Sequence, residues 1–364
     1  MKVAIMAPLV TAIREPQRGG SQAFVSDLAR GLAGRGQEVH VYAASGSEIP
    51  GVKVIDTGVD PESLTATLYR ASGPPAPDRA AAESAFTRAY TMVQELRYDV
   101  VHNHAFDAPA VRFATALHAP VVHTLHLPPD QAVAAALRYA AQCDRPPTIA
   151  AVSAFQASAW RPIARIDEIL PPYVPTAVIP WSQATGDGAV FAGRLSPEKG
   201  AAEAIDIAAA AGVRIDVYGD AYDAEYTREQ IGPRRAQPGV AVHQAVPRTS
   251  LWVAMARAAV VLHPARWDEP FGMAAAEAQA CGTPVVAFRR GALGEVIAEG
   301  VTGFLVPPGD IQAAAGAVRR AIGISHPACR DHAERHLDLE RSLDAHEHLY
   351  RRVISPGVGA TAGE

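Results

Sequence analysis

Two carboxylates in the stretch "ARWDEPFGMAAAEAQACG" (residues 265–282) are placed where they could do chemistry. From Met273 to Cys281 nothing is charged except Glu277, so the segment reads as a buried helix carrying one acid. An ionised carboxylate in such a place is unfavourable unless something pairs with it. Glu269 stands eight positions earlier (277 − 269 = 8), in the loop that leads into the helix. A carboxylate near a helix N-terminus is stabilised by the dipole, which is one ordinary use for Glu269.

Cations occur in a second stretch, "FAGRLSPEKGAAEAI" (residues 191–205). A strand ends near Gly193, a turn carries Arg194 and Lys199, and a helix starts near Gly200. Two cations flanking a helix start can converge on one diphosphate, Arg as a planar fork and Lys as a point charge. In isolation this spacing more often marks a solvated loop. Gly19 and Gly20 precede another helix and offer bare amides to an anion; alone, such a pair is usually a turn. Neither GxGxxG after the first strand nor GxxxxGK followed by Ser or Thr occurs, so dinucleotide and P-loop fingerprints are absent. Four histidines, His102, His104, His123 and His126, fall near strand ends, with His102 and His104 on one face by alternation. A zinc site needs three or four convergent ligands, and no Cys or Asp pattern completes one.

The elements that must carry these residues alternate throughout. "KVAIMAPL", "EVHVYAA", "VKVIDTG", "DVVHNH", "PVVHTLH" and "TIAAVS" read as strands separated by alanine-rich helices, up to "AVIP" at 177–180. The pattern restarts with "AVFAGR", "RIDVYGD", "VAVHQAV", "AVVLHPAR", "PVVAF" and "GFLVP". Continuous apolar strands alternating with helices indicate parallel sheets buried on both faces. The expectation is an α/β fold of two tandem doubly wound, Rossmann-like domains, residues 1–182 and 183–344, facing across a cleft. Ser182–Gly188 is the linker candidate, and 73–79 ("GPPAPDR") an internal loop. A charged C-terminal helix, 345–364, is expected to pack back on the first domain, ending in a mobile "SPGVGATAGE".

Bulk properties agree. A chain of 364 residues exceeds one typical core, and 49% hydrophobic with 20% charged residues is ordinary globular usage. A net charge of −5 disfavours a general nucleic-acid partner. Cys143, Cys281 and Cys329 form no CxxC, as suits a reducing compartment. The N-terminus reads as a strand rather than a signal peptide, and no run reaches 18 apolar residues. A cytoplasmic protein with no transmembrane segment is expected, with peripheral membrane contact as an alternative.

In this order and spacing, "GRLSPEKG", "DEPFGMAAAEAQACGTPVV" and "GEVIAEGVTGFLVPPGD" resemble the nucleotide-binding half of retaining GT-B glycosyltransferases, the large family-four group. The glycine loop, "DVVHNH", "PVVHTLH", "AAVSAF" and the C-terminal "RHLDLERSLDAHEHLYRRV" extend the likeness over most of the chain. The resemblance implies a hexosyltransferase moving sugar from a nucleoside-diphosphate sugar to an acceptor hydroxyl, with retained anomeric configuration. It implies that Arg194 and Lys199 contact the donor phosphates, aided by the Phe271, Gly272 and Met273 amides. These cations and amides would replace a metal, so no metal and no cofactor are expected. Glu277 would accept both ribose hydroxyls, the alternative being a neighbouring basic side chain, which the surrounding alanines disfavour. Glu269 would face the transferred sugar, and His126, ending "VVHTLH", would help position it.

One departure stands out: "VIPWSQATGDG" replaces the family's usual Asn-Gly-Val-Asp-like stretch and shortens the connection to "AVFAGR". Rival readings on the same scaffold are a sugar-nucleotide epimerase and a catalytically silent sugar-nucleotide binder. Retention of Arg194, Lys199, Glu269 and His126 speaks against decay. Base recognition is expected near "HQAVPRTSL" (residues 243–251), through backbone groups that leave no letter code. Sugar, base, acceptor (small molecule, glycan or lipid-linked) and oligomeric state are not encoded in any motif.

Overall fold

The computed structural model describes residues 1–61 and 76–355, with backbone alone at 76–79. The chain forms two compact units. One comprises Met1–Arg14, Ser21–Pro172 and the stretch from Glu340 onward; the other comprises Glu15–Gly20 and Tyr173–Leu339.

The first unit holds a seven-stranded sheet of β1 (Lys2–Met6), β2 (Glu38–Ala43), β3 (Lys53–Asp56), β4 (Val100–Asn103), β5 (Val121–Leu125), β6 (Thr148–Ala151) and β7 (Glu168–Ile169). Its order is β3-β2-β1-β4-β5-β6-β7, every pair parallel. Strands β4 and β5 are buried along their whole length, as their unbroken apolar and histidine runs require. Met6, Phe86, Tyr90 and Val101 pack in one apolar cluster and Leu125, Val133, Leu137 and Trp160 in another. The proposed loop at 73–79 lies partly outside the described residues, and from Ala76 the chain is already helical, to Leu96. Pro77 is tolerated there because the first helical turn needs no backbone donor.

The closing helix runs Leu339–Ile354. It enters the first unit through Leu343, whose Cδ1 would lie 2.6 Å from a Cβ at Gly31, and through Tyr350, whose hydroxyl is 2.6 Å from His102 Nδ1. Arg35 adds ion pairs to Glu340 and Asp344 at 2.5 and 2.8 Å. Residues 356–364 of the expected helix and tail lie outside the described residues.

The second unit holds a six-stranded sheet of β8 (Ala189–Ala192), β9 (Ile215–Tyr218), β10 (Val240–His243), β11 (Val260–His263), β12 (Val285–Phe288) and β13 (Gly303–Val306). Its order is β10-β9-β8-β11-β12-β13, again wholly parallel. Phe191, Ile205, Val217, Leu262 and Val318 anchor its core.

The stretch expected as a linker is built into this unit. Gly186 lies so close to the Arg257 backbone that a Cβ would stand 2.0 Å from its carbonyl oxygen, and Asp187 N donates to that oxygen at 3.0 Å. Its glycine serves close approach rather than flexibility. The units divide at 172/173 instead, because Val174 exchanges backbone bonds with Leu337 and Leu339 (2.8 and 2.9 Å). Arg330 clamps the following segment, donating to the Thr176, Ile179 and Ala280 carbonyls at 2.8, 3.1 and 2.7 Å.

In each sheet the chain reverses direction of growth once, between β1 and β4 and between β8 and β11. Ligands of doubly wound sheets bind beyond the strand C-termini at such a switch point. The segments after β8 and β11 carry Arg194, Lys199 and Glu269.

Candidate active site

Beyond β8 the turn is held by Leu195 N donating to the Asp220 carbonyl at 2.9 Å and Lys199 N to the Ser196 carbonyl at 3.2 Å. Lys199 Nζ reaches Glu269 Oε1 at 2.5 Å and lies 4.9 Å from the centre of the Trp267 ring. Trp267 Nε1 donates to the same oxygen at 2.8 Å, and His263 Nε2 is 3.5 Å away. Glu269 is buried, which by itself pushes its carboxyl up; Lys199 and His263 outweigh that and hold it well below the usual carboxylate range. It is therefore an anion fixed by a cation and an indole N–H, with an imidazole close by. Arg194 stacks on the Tyr222 ring at 4.5 Å, with Nη2 3.5 Å from Glu198 Oε1. Ser196 Oγ donates to that same Glu198 oxygen at 2.7 Å.

The loop carrying Glu269 is set by its backbone. Ala292 N donates to the Glu269 carbonyl at 2.8 Å. Gly291, at φ +57°, leaves no room for a side chain, since a Cβ would stand 2.2 Å from that carbonyl oxygen. The helix Met273–Ala280 then starts at Gly272, φ +106°. Among the described residues, the Phe271, Gly272 and Met273 amides donate to no protein acceptor, as befits the first amides of a helix, which have no intrahelical partner. Gly20 belongs to this unit with Gly19, and a Cβ on it would meet Met273 Cγ at 2.9 Å.

Glu277 has the partner that the sequence reading disfavoured. Arg248 Nε donates to its Oε1 at 2.5 Å and Trp252 Nε1 to the same atom at 3.1 Å. The alanines around Glu277 are only its helical neighbours; Arg248 arrives from the start of a separate helix, Arg248–Ala256. Its guanidinium sits 4.9 Å from the Trp252 ring centre, and its backbone N–H donates to Glu15 Oε2 at 2.9 Å. Both side-chain donors use Oε1.

His126 lies in the first unit, in a buried group with His102, His104, His123 and His346. His104 Nδ1 is 2.8 Å from His126 Nε2, and the His102 and His104 rings lie with centroids 4.0 Å apart at a tilt of 34°, on one face as alternation placed them. His102 Nε2 is 2.7 Å from Thr124 Oγ1. Burial holds all five imidazoles below their usual pKa, His126 at about 3 and His123 and His346 at about 4. They are neutral hydrogen-bonding groups at physiological pH. Among the described residues no group of three or more His, Cys, Asp or Glu side chains is placed to hold a metal ion.

The structure thus brings Lys199 onto Glu269 and places Gly20 at Met273. It gives Arg194 to Glu198 and Tyr222, and Glu277 to Arg248. Sequence reasoning missed His263, Trp267, Arg248, Trp252 and Gly291. The only trace of them is position: His263 ends β11, Trp267 falls two residues before Glu269, and Arg248 lies within the segment assigned to base recognition.

Comparison with known proteins follows from this geometry. The family description "Glycosyl transferases group 1" matches residues 184–335, and "Glycosyltransferase Family 4" matches 18–178. The chain is 30% identical over 369 residues to the D-inositol 3-phosphate glycosyltransferase of Xylanimonas cellulosilytica, covering 84% of each chain. To the same-named enzyme of Acidothermus cellulolyticus it is 28% identical over 379 residues, covering 88% of this chain and 82% of that one. Sucrose-phosphate synthase from Thermosynechococcus elongatus superposes with a TM-score of 0.79 at 18% identity, covering 98% of this chain and all of that one (100%). Anabaena HepE, in complex with UDP and glucose, gives 0.73 at 20% identity, covering 96% and 99%. The structural likenesses carry the two Rossmann-like domains of the GT-B fold. Among the described residues no helix is long and apolar enough to cross a membrane.

Proposed function

The chain belongs to the group 1 glycosyltransferases, and on that premise we propose that it moves a hexosyl group from a nucleoside-diphosphate sugar to an acceptor hydroxyl with retained anomeric configuration. The observation that carries this reading is the meeting of Lys199 and Glu269 in the segments after β8 and β11, with Glu269 in the loop that leads into the helix Met273–Ala280. On this reading a diphosphate lies against the Phe271, Gly272 and Met273 amides and the Lys199 cation, and the sugar it carries against the Glu269 anion. As the bond from the anomeric carbon to the phosphate oxygen breaks, its electron pair goes to the diphosphate, where Arg194, Lys199 and the amides stabilise it. The sugar gains positive charge, opposite the Glu269 carboxylate. The acceptor hydroxyl oxygen forms the new bond to the anomeric carbon, and its proton passes to the departing phosphate oxygen. With these groups handling the leaving charge, the reaction is proposed to need no metal.

Glu277 is assigned to the ribose hydroxyls through Oε2. His126, neutral and bonded through Nε2 to His104, is assigned to hold the transferred sugar through its other ring nitrogen. Its role here is to position the sugar. Base recognition is assigned to the backbone near residues 243–251. The acceptor is a hydroxyl compound; inositol phosphate is the class suggested by the relatives' names.

The test incubates the protein with UDP-, GDP- and ADP-sugars and candidate acceptors, reading nucleoside diphosphate release and the product's anomeric proton coupling by NMR. Release coupled to a product of unchanged configuration is expected. An inverted product, or an epimerised donor with no release, would overturn the proposal.

A further inference from the structure

We propose that Arg248, supported by Trp252, is a positioning residue that sets the preference for ribose over 2′-deoxyribose in the bound nucleotide, by fixing which oxygen of Glu277 faces the ligand. This rests on the assignment of Glu277 to the ribose.

A glutamate side chain has several rotatable bonds, and a carboxylate that reads two adjacent hydroxyls must be held in one rotamer before the ligand arrives. Glu277 is held from one side only. Arg248 Nε at 2.5 Å and Trp252 Nε1 at 3.1 Å both donate to Oε1, which restrains the carboxylate and leaves Oε2 without a protein donor among the described residues. The two donors are themselves tied together, guanidinium over indole at 4.9 Å. The Arg248 backbone is anchored in turn by Glu15 Oε2 at 2.9 Å, next to the Gly19-Gly20 turn that packs on Met273. Glu277, Arg248 and Trp252 are 6%, 8% and 5% exposed, so water cannot readily replace a lost donor. The Glu15–Arg248–Glu277 chain therefore links the glycine turn to the ribose-facing oxygen. If Oε1 were released, the carboxylate could rotate and its aim at the 2′-hydroxyl would be lost, while contacts to phosphate and base would remain.

The test measures a ratio, which a general loss of fold or affinity does not move. UDP, GDP and ADP are screened by thermal shift; the best binder and its 2′-deoxy counterpart are then compared by calorimetry. The native protein is expected to prefer the ribonucleotide roughly 10- to 100-fold, the scale of one hydrogen bond to a charged acceptor. Glu277→Gln should bring the ratio close to one. Arg248→Met and Arg248→Lys should each reduce it at least about fivefold, and Trp252→Phe should reduce it less. In the Glu277→Gln background Arg248→Lys should change it no further. Arg248→Lys keeps a cation in the buried pair, so the test survives if Arg248→Met does not fold. If both folded Arg248 variants, or Arg248→Lys alone, kept the native ratio while Glu277→Gln lost it, the positioning role would be wrong and the ribose assignment would stand. If Glu277→Gln itself kept the ratio, or no diphosphate bound, the ribose assignment would fall and the role of Arg248 with it.

Discussion

Lys199 Nζ lies 2.5 Å from Glu269 Oε1, joining the segments that follow two strands adjacent in the sheet, β8 and β11. The cation assigned to the leaving diphosphate is thus held by the anion assigned to the sugar. Each compensates the other where solvent is scarce, and each is poised for one half of the charge separation that bond cleavage creates.

Mutual compensation has a stability signature. Lys199→Ala strands a buried carboxylate and should cost up to about 3 kcal/mol, less than a fully buried pair because Lys199 is itself 20% exposed. Lys199→Ala combined with Glu269→Gln should recover most of that loss. Denaturant unfolding of the four proteins reads the coupling, and simple additivity would show the pair to be energetically independent.

Turnover should respond more than binding at the cations. Charge on the leaving group grows toward the transition state, so Arg194→Ala and Lys199→Ala should each raise the barrier by about 2–4 kcal/mol, roughly 30- to 1,000-fold in kcat. Near-native kcat in both variants would remove them from the phosphate site.

Chelation is expected to leave activity unchanged, since two cations and three amides are assigned the charge a metal would carry. Steady-state rates in EDTA, with and without added magnesium or manganese, check this. Loss in chelator that either ion restores would contradict the assignment.

The buried histidines should make the first unit acid-sensitive. His123, His126 and His346 hold pKa values of about 4, 3 and 4 because burial disfavours their charged form, against an ordinary 6.5. Above pH 6.5 folded and unfolded chains both carry them neutral. Below it the unfolded chain takes up protons that the folded one refuses, so stability falls as pH drops from about 6.5 toward 4. Asp107, raised to about 6 by burial, works in the opposite sense over pH 6 to 4 but is one group against several. The net effect is therefore a loss of stability on acidification. Hydrogen-exchange protection of β4 and β5, corrected for intrinsic rates, should decline between pH 7.5 and 5.5; constant protection would mean that the histidines titrate normally.

Much of this architecture was legible because parallel strands must be apolar on both faces. Every long run, from "KVAIM" to "GFLV", is a strand; β7, two residues long, left no run to see. The carboxylates and cations stood out because charge is conspicuous in apolar or turn segments. Their partners did not, since Arg248 meets Glu277 only after two helices pack, and no local spacing encodes that meeting. Ser182–Gly188 misled for a related reason: glycine in a polar stretch marks a flexible link or a close contact, and only Arg257, far along the chain, decides between them. The pairing of His104 with His126 likewise follows from β4 lying beside β5, although alternation had already placed His102 and His104 together.

The division of labour between Lys199 and Glu269 is tested most directly by calorimetry of the bare nucleoside diphosphate with Lys199→Ala and Glu269→Gln, each confirmed folded. Lys199→Ala removes a phosphate contact and should weaken binding at least about tenfold, the scale of one charge-assisted hydrogen bond. Glu269→Gln removes no nucleotide contact and frees Lys199 from its anion, so affinity should stay the same or rise while transfer from the full donor collapses. Weakening of the bare nucleotide by Glu269→Gln to the same extent as by Lys199→Ala would contradict the assignment of the cation to the phosphates and of the carboxylate to the sugar.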